Sequence, residues 1–180
     1  MKNKAVLLGR FSPFHKGHQA EVDLMIKKHG IENCLVIIGS SDSYNFRTPF
    51  SFEERAKIIK TIYPEIEVIP LPDIQRELAY FDGSTNDKWL GNIKEIETKR
   101  GEKFIFYGGS TEDLVVLSEQ FETRIAVDRN KDPLTISATE VRKELDNKNE
   151  EGLSRMLDAR VIPLVKEYYQ KFLETHEEFK

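Results

Sequence analysis

Gly9-Arg10-Phe11-Ser12-Pro13-Phe14-His15-Lys16-Gly17-His18 follows directly on a short apolar run, Ala5 to Leu8. A run without polar alternates, broken by glycine and then by two closely spaced histidines, reads as a buried strand passing into a helix start. In an open α/β sheet, ligands bind beyond the carboxyl ends of the strands. Gly9 permits close backbone approach, and Gly17 removes a side chain where the helix begins. The exposed N–H groups of such a helix start favour an anion. His15 and His18 are three positions apart and can converge on that anion as hydrogen-bond donors. Arg10 and Lys16 add fixed positive charge. A zinc site is a weaker reading of His-x-x-His here, because no glutamate lies inside the motif and Cys34 is the sole cysteine.

Outward from this segment the same alternation continues. Leu35–Ile38, Ile66–Leu71, Phe104–Tyr107 and Arg124–Val127 are further short runs, mostly β-branched or aromatic. Between them lie amphipathic stretches. His18–His29 places Val22, Met25, Ile26 and His29 on one side, with Gly30 as its stop. Ser51 followed by Glu54 is a capping box that opens a helix to about Tyr63, ahead of Pro64. Asn86–Thr98 and Thr111–Phe121 follow the same helical logic, and residues 72–88 form the longest irregular stretch. The alternation predicts an open α/β sheet with right-handed crossovers.

After Val127 the pattern changes. Arg129–Pro133 is polar and turn-like. A second capping box, Ser137 with Glu140, opens a helix to about Lys148. Further helices are expected over Glu150–Ala159 and from Pro163 onward, with a frayed end over Thr175–Lys180. The expected organisation is one domain over residues 1–180, with an α/β core in 1–148 and a helical tail in 149–180.

Composition bounds the function without naming it. The net charge of −4 argues against a broad nucleic-acid surface. No apolar stretch approaches the ~18 residues that a membrane span needs. A single cysteine and no secretory signal lead to the expectation of a cytoplasmic protein. The chain contains neither Gly-x-x-x-x-Gly-Lys-Ser/Thr nor Gly-x-Gly-x-x-Gly, so P-loop hydrolases and ordinary dinucleotide oxidoreductases lose ground.

A second motif, Ile136-Ser137-Ala138-Thr139-Glu140-Val141-Arg142, opens the helix that starts after Ser137. Thr139 and Arg142 share one helix face there. A hydroxyl, a guanidinium and free N–H groups near one helix start suit a triphosphate, although an ordinary capped helix would carry the same residues.

The first segment carries every specified position of Gly-x-Phe-x-Pro-x-His-x-Gly-His and resembles the signature of the HIGH-type nucleotidyltransferase superfamily. The second resembles the Ile-Ser-x-Thr-x-x-Arg of the same superfamily. The resemblance implies a Rossmann-like, doubly wound, mainly parallel five-stranded sheet with C-terminal helices, binding a nucleoside triphosphate with magnesium. It implies that His15, His18 and Arg142 act on the phosphates during transfer. It also places Gly9, Arg10, Phe11, Pro13, Lys16, Gly17, Ile136, Ser137 and Thr139 around ATP. Class I aminoacyl-tRNA synthetases share the histidine motif, but their Lys-Met-Ser-Lys-Ser-like segment is absent.

The middle of the chain is similar to nicotinamide-mononucleotide adenylyltransferases of the archaeal kind, and to the adenylyltransferase half of Nudix-fused bacterial proteins. The resemblance rests on Gly39-Ser40, Arg47-Thr48-Pro49-Phe50, Glu54-Arg55, Asp73 and Trp89. It implies an acceptor site in which Ser40 takes part, Arg47 holds a phosphate, Asp73 binds a ribose hydroxyl or the carboxamide, and Trp89 stacks on the nicotinamide ring. Trp89 reads equally as core packing, and Arg55 as a solvent-facing or carboxylate-paired residue. Thr48 departs from the family's Asn, and Tyr107-Gly108-Gly109-Ser110 from its Asn-rich segment. A pantetheine-phosphate adenylyltransferase, a cytidylyltransferase or a non-catalytic nucleotide-binding regulator therefore stay open, as does a homo-oligomer.

Overall fold

In a computed structural model of the chain, residues 1–73, 84–126 and 136–176 are described. Five strands form a single parallel sheet in the order β3-β2-β1-β4-β5. They are β1 (Lys2–Gly9), β2 (Cys34–Gly39), β3 (Glu67–Leu71), β4 (Glu102–Gly108) and β5 (Glu122–Ile125). β1 lies at the centre, with Leu8 opposite Ile37 on one side and Leu7 opposite Tyr107 on the other.

Successive residues of the central strands enter two different cores, as the two-residue period of a strand requires. Ala5, Leu7, Val36, Ile38, Ile105 and Tyr107 face one core. Val6, Leu35, Ile37, Phe104 and Phe106 face the other. This is why those runs carry no polar alternates: neither face meets water. The first core is closed by α1 (Lys16–His29), α2 (Phe52–Ile62), α5 (Ala138–Asp146), α6 (Glu150–Met156) and α7 (Ile162–Thr175). The second is closed by α3 (Ser84–Arg100) and α4 (Thr111–Leu114), through Leu90, Ile93 and Leu114. Helices on both faces make the fold Rossmann-like and doubly wound, as the motifs imply. Each fully buried Ile or Phe contributes about 1.5–3 kcal/mol.

The helix punctuation explains most element bounds. Ser51 Oγ accepts from the Glu54 N–H while Glu54 Oε2 accepts from the Ser51 N–H, and Ser137 and Glu140 repeat the arrangement. Gly30 ends α1 at φ 79°, and its N–H donates to the Ile26 carbonyl. Pro163 lies in the first turn of α7.

Several boundaries differ from the expected ones. α1 begins at Lys16 rather than His18, because the imidazole of His15 caps it. The Thr111–Phe121 stretch is not one helix: α4 stops at Leu114 and a single 3-10 turn covers Leu117–Glu119. The last strand is Glu122–Ile125, an exposed edge strand, where Arg124–Val127 was expected. The irregular stretch is shorter than 72–88, since α3 starts at Ser84. Its residues 74–83, the polar segment Arg129–Pro133 and the chain end from 177 lie outside the described residues. Among the described residues, no helix is long and apolar enough to cross a membrane.

Candidate active site

The strand order places the switch point between β1 and β4. The chain winds away from β1 toward β3 on one side, and toward β5 on the other. Loops leaving the carboxyl ends of β1 and β4 therefore diverge and open a crevice. A cavity of about 550 Å³ occupies it. Gly9, Arg10, Phe11, His15 and His18 form one wall, Tyr107, Gly108 and Gly109 a second, and Ile136, Ser137, Thr139 and Arg142 a third. Arg47 reaches in from the segment after β2.

The two histidines are fixed as a pair. The Gly17 N–H donates to His15 Nδ1 at 3.2 Å, and the His15 N–H donates to His18 Nδ1 at 3.3 Å. Their rings stack with centroids 3.7 Å apart and 22° between planes. A ring nitrogen that accepts cannot carry a proton, so each neutral ring holds its proton on Nε2. Each imidazole therefore carries its N–H on the side of the ring opposite the helix end it caps. A Cβ on Gly17 would lie 3.0 Å from the His15 ring, so a larger residue there would disturb the cap.

Phe11 shapes the floor. It adopts φ 49°, is buried, and presents its ring edge-on to His18 at 4.9 Å. A Cβ on Gly9 would meet that ring at 3.0 Å. Gly9 thus makes room for Phe11, and Phe11 with Phe14 wedges His18 in place.

The second motif is tied to the first across most of the chain. Arg142 Nη1 donates to the Ser12 carbonyl at 2.6 Å, and its Nη2 donates to Thr139 Oγ1 at 3.2 Å. Ser12 Oγ is buried at the cavity wall without a hydrogen-bond partner among the described residues. Such a hydroxyl costs free energy until something pairs with it.

The electrostatics favour an anion. Burial pushes the Arg10 and Arg142 guanidinium pKa values down, and the neighbouring cations add to this: Arg47 acts on Arg10, and both Arg10 and Arg47 act on Arg142. Asp73 partly offsets the effect at Arg10, and Tyr169 and Asp146 do so at Arg142. Hydrogen bonds from Ser137 hold the Glu140 carboxyl below its ordinary range. A polyanion entering the crevice would relieve the mutual repulsion of three guanidiniums.

On the acceptor side, Ser40 Oγ donates to Asp73 Oδ1 at 2.9 Å, and Ser43 Oγ to Asp73 Oδ2 at 3.2 Å. Ser40 itself adopts φ 47°. Ser40 and Asp73 are thus together and Arg47 lines the cavity, while Ser40, Asp73 and Trp89 are not among its lining residues. Trp89 is half-buried against the core under α3. Pro13 and Gly17 are not among the cavity-lining residues. Lys16 reaches away from the cavity, donating to the Ser154 carbonyl at 2.9 Å.

Arg55 is the largest correction. It neither faces solvent nor pairs with a carboxylate; it is fully buried, at 0% exposure. Its Nη1 donates to the carbonyls of Arg10 (2.9 Å) and Gly39 (3.0 Å), its Nη2 to that of Ser40 (2.9 Å), and its Nε to that of Ser51 (3.2 Å). Burial lowers its pKa to about 10, so it remains charged at neutral pH. One side chain thus joins the loop after β1 to the loop after β2, next to two left-handed residues, Phe11 and Ser40. Neither Arg55 nor Ser12 stood out from sequence as a site residue. The Glu-Arg pair was the one available signal for Arg55, and nothing in spacing marked Ser12.

The chain is similar to known proteins in sequence and in fold. The Cytidylyltransferase-like family profile matches residues 6–144. The nicotinamide-nucleotide adenylyltransferase of Sulfurisphaera tokodaii is 29% identical over 171 residues, 91% of each chain. That of Methanocorpusculum labreanum is 31% identical over 98 residues, 52% of each. Two solved structures share the fold. One is a NadR protein in complex with NAD and AMP-PNP, with TM-score 0.59 and 19% identity, covering 82% of this chain and 43% of that one. The other is the nicotinic acid mononucleotide adenylyltransferase of Plasmodium falciparum complexed with APC, with TM-score 0.59 and 16% identity, covering 100% and 99%.

Proposed function

This chain belongs to the cytidylyltransferase-like family, and we propose that it transfers the adenylyl group of ATP to nicotinamide mononucleotide, giving NAD and pyrophosphate. The observation that carries the reading is the joining of the two phosphate motifs. Arg142 bonds to the Ser12 carbonyl beside two histidines whose Nδ1 atoms both accept from backbone N–H groups.

An oxygen of the acceptor phosphate attacks the α-phosphorus of ATP. The new P–O bond forms as the bond to the β-phosphate oxygen breaks, and the electron pair leaves with pyrophosphate. The attacking oxygen is already anionic, so no protein base is needed. The protein's work is positioning and charge stabilisation. In this reading His15 and His18 donate to the phosphates whose charge rises in the transition state. Thr139, Arg142 and the start of α5 hold the leaving pyrophosphate. Gly9, Arg10 and Phe11 shape the ATP side, with Ile136 and Ser137 opposite. Arg47 takes the acceptor phosphate, and Asp73, oriented by Ser40, takes a ribose hydroxyl or the carboxamide.

Among the described residues, no group of three or more His, Cys, Asp or Glu is placed to hold a metal ion. In this reading magnesium enters with ATP and would be held chiefly by triphosphate oxygens and water; Asp113 and Glu21 are carboxylates of the cavity wall. Bound there, magnesium would supply charge neutralisation on the triphosphate.

Incubation with ATP, magnesium and nicotinamide mononucleotide should yield NAD and pyrophosphate in equal amounts. Parallel arms with phosphopantetheine and ATP, and with CTP and a phosphorylated alcohol, read the other acceptors. Pyrophosphate in one of those arms, with no NAD in the first, would overturn the acceptor. Nucleotide binding without pyrophosphate in any arm would mark a regulator.

A further inference from the structure

We infer that the last turn of α7 positions Arg47, making the C-terminal helix a working part of the acceptor site; this rests on the reading of Arg47 as the acceptor-phosphate ligand. The segment between β2 and α2 carries Arg47 into the cavity. Its turn is built on Asn45, whose Oδ1 accepts from the Arg47 N–H (3.0 Å), the Thr48 N–H (3.1 Å) and Thr48 Oγ1 (3.1 Å). The residues on either side of Asn45 point the other way. The Tyr44 ring meets Phe172 edge-on at 5.2 Å and His176 at 5.5 Å. The Phe46 ring meets the same two at 5.2 and 6.1 Å. Two rings of the turn thus grip Phe172 of α7 and His176 just after it, while the next side chain, Arg47, lines the cavity.

The α7 side of this grip is itself fixed. The Phe172 carbonyl can only accept, so His176 Nδ1 donates to it at 2.9 Å. That bond lays the imidazole flat on Phe172, with centroids 4.2 Å apart. Lys171 Nζ pairs with Glu54 Oε1 at 2.9 Å, and Glu54 is the residue that caps α2 at Ser51, just after the gripped turn. Tyr44 and Phe46 remain 36% and 53% exposed, so both are surface rings rather than core residues. What they supply is edge-to-face ring contact, which is directional and restrains the turn.

Without that contact, the turn samples more arrangements before Arg47 can meet a phosphate, and the ordering cost falls on acceptor binding. The test uses Phe46→Ala, His176→Ala and the double variant, with Phe46→Tyr as the ring-preserving control. Melting curves establish that each is folded. Each single alanine variant should raise the KM for the mononucleotide about tenfold, with the KM for ATP and kcat within about twofold. The double variant should be worse than either single one but by less than the product of the two effects, because the Phe46–His176 contact is lost in each. Phe46→Tyr should behave as wild type. Trypsin cleavage after Arg47 gives a readout independent of the acceptor and should be several-fold faster in the alanine variants. Unchanged cleavage together with an unchanged mononucleotide KM overturns the inference, as does an equal rise in both KM values. If wild type makes no NAD while cleavage still accelerates, the acceptor assignment fails and the grip on Arg47 stands.

Discussion

The two ends of the sheet handle charge in opposite ways. At the amino ends of the strands, Lys4, Glu67, Arg100 and Glu102 form a closed network. Arg100 Nη1 and Nη2 donate to the two Glu67 oxygens at 2.8 and 2.7 Å, its Nε donates to Glu102 at 2.6 Å, and Lys4 Nζ lies 3.1 Å from Glu67. At the carboxyl ends, Arg10, Arg47 and Arg142 make no salt bridge among the described residues, and their mutual repulsion is left standing. The paired end spends its charges on joining β1, β3, β4 and the end of α3. The unpaired end holds cations whose natural partner is a phosphate group. The modest net acidity of the chain conceals this asymmetry, which only the three-dimensional arrangement exposes.

The contrast can be broken most severely at the cationic end. His18→Ala removes one transition-state donor and should lower kcat by roughly 10²–10³. The fold should survive, because Phe11, Phe14 and the rest of α1 remain packed; steady-state kinetics with a melting curve reads both. Wild-type turnover in a folded variant would remove His18 from the mechanism. A sharper test moves the chemistry of one end to the other. Thr139→Asp places a carboxylate beside Arg142, giving it the kind of partner that Arg100 already has. The melting temperature should hold or rise, while ATP affinity by calorimetry should fall on the order of 10²-fold through lost attraction and added repulsion. Unchanged ATP affinity would show that the open cations are not what binds the triphosphate.

The smallest effect belongs to the paired end. Burial alone would raise the Glu67 carboxyl, but hydrogen bonds from Arg100 and Lys4 prevail and hold it below its ordinary value. A depressed folded-state value means that the stabilisation is present above the unfolded carboxylate range and is lost as pH falls through the lower, folded one. Glu67→Gln should therefore cost about 1 kcal/mol or less at neutral pH, with the difference from wild type shrinking toward acid. NAD formation should be unaffected, since the substitution lies at the far end of the sheet.

The parts of this fold legible from sequence are those where local chemistry and tertiary environment agree. β1, β2 and β4 announced themselves because both faces are buried. The capping boxes at Ser51 and Ser137 were readable because serine and glutamate do this work in many helices. The start of α1 was misplaced because a histidine ring nitrogen took the capping role. The last strand was misplaced because an exposed edge strand need not be apolar: Glu122-Thr123-Arg124-Ile125 shows no hydrophobic run. Among the site residues, glycines and histidines in one contiguous motif could be read together. Arg55 could not, because its carbonyl partners come from three separate segments and a charged residue on an amphipathic helix ordinarily faces water. Trp89 shows another limit: an aromatic residue on an amphipathic helix suits core packing as well as ring stacking, and it packs against the second core.

The bond from Arg142 to the Ser12 carbonyl spans 130 positions of the chain. It has a consequence in time as well as in space. Ser12 leaves the ribosome early, while Arg142 follows only after all five strands have been made. Closing so long a loop costs entropy that the finished sheet has largely met by then, so the bond should form late in folding. A nascent chain would carry its histidines long before it could hold a triphosphate. Nucleotide binding would then report a completed fold, and ATP in the medium would stabilise only chains that had reached that point.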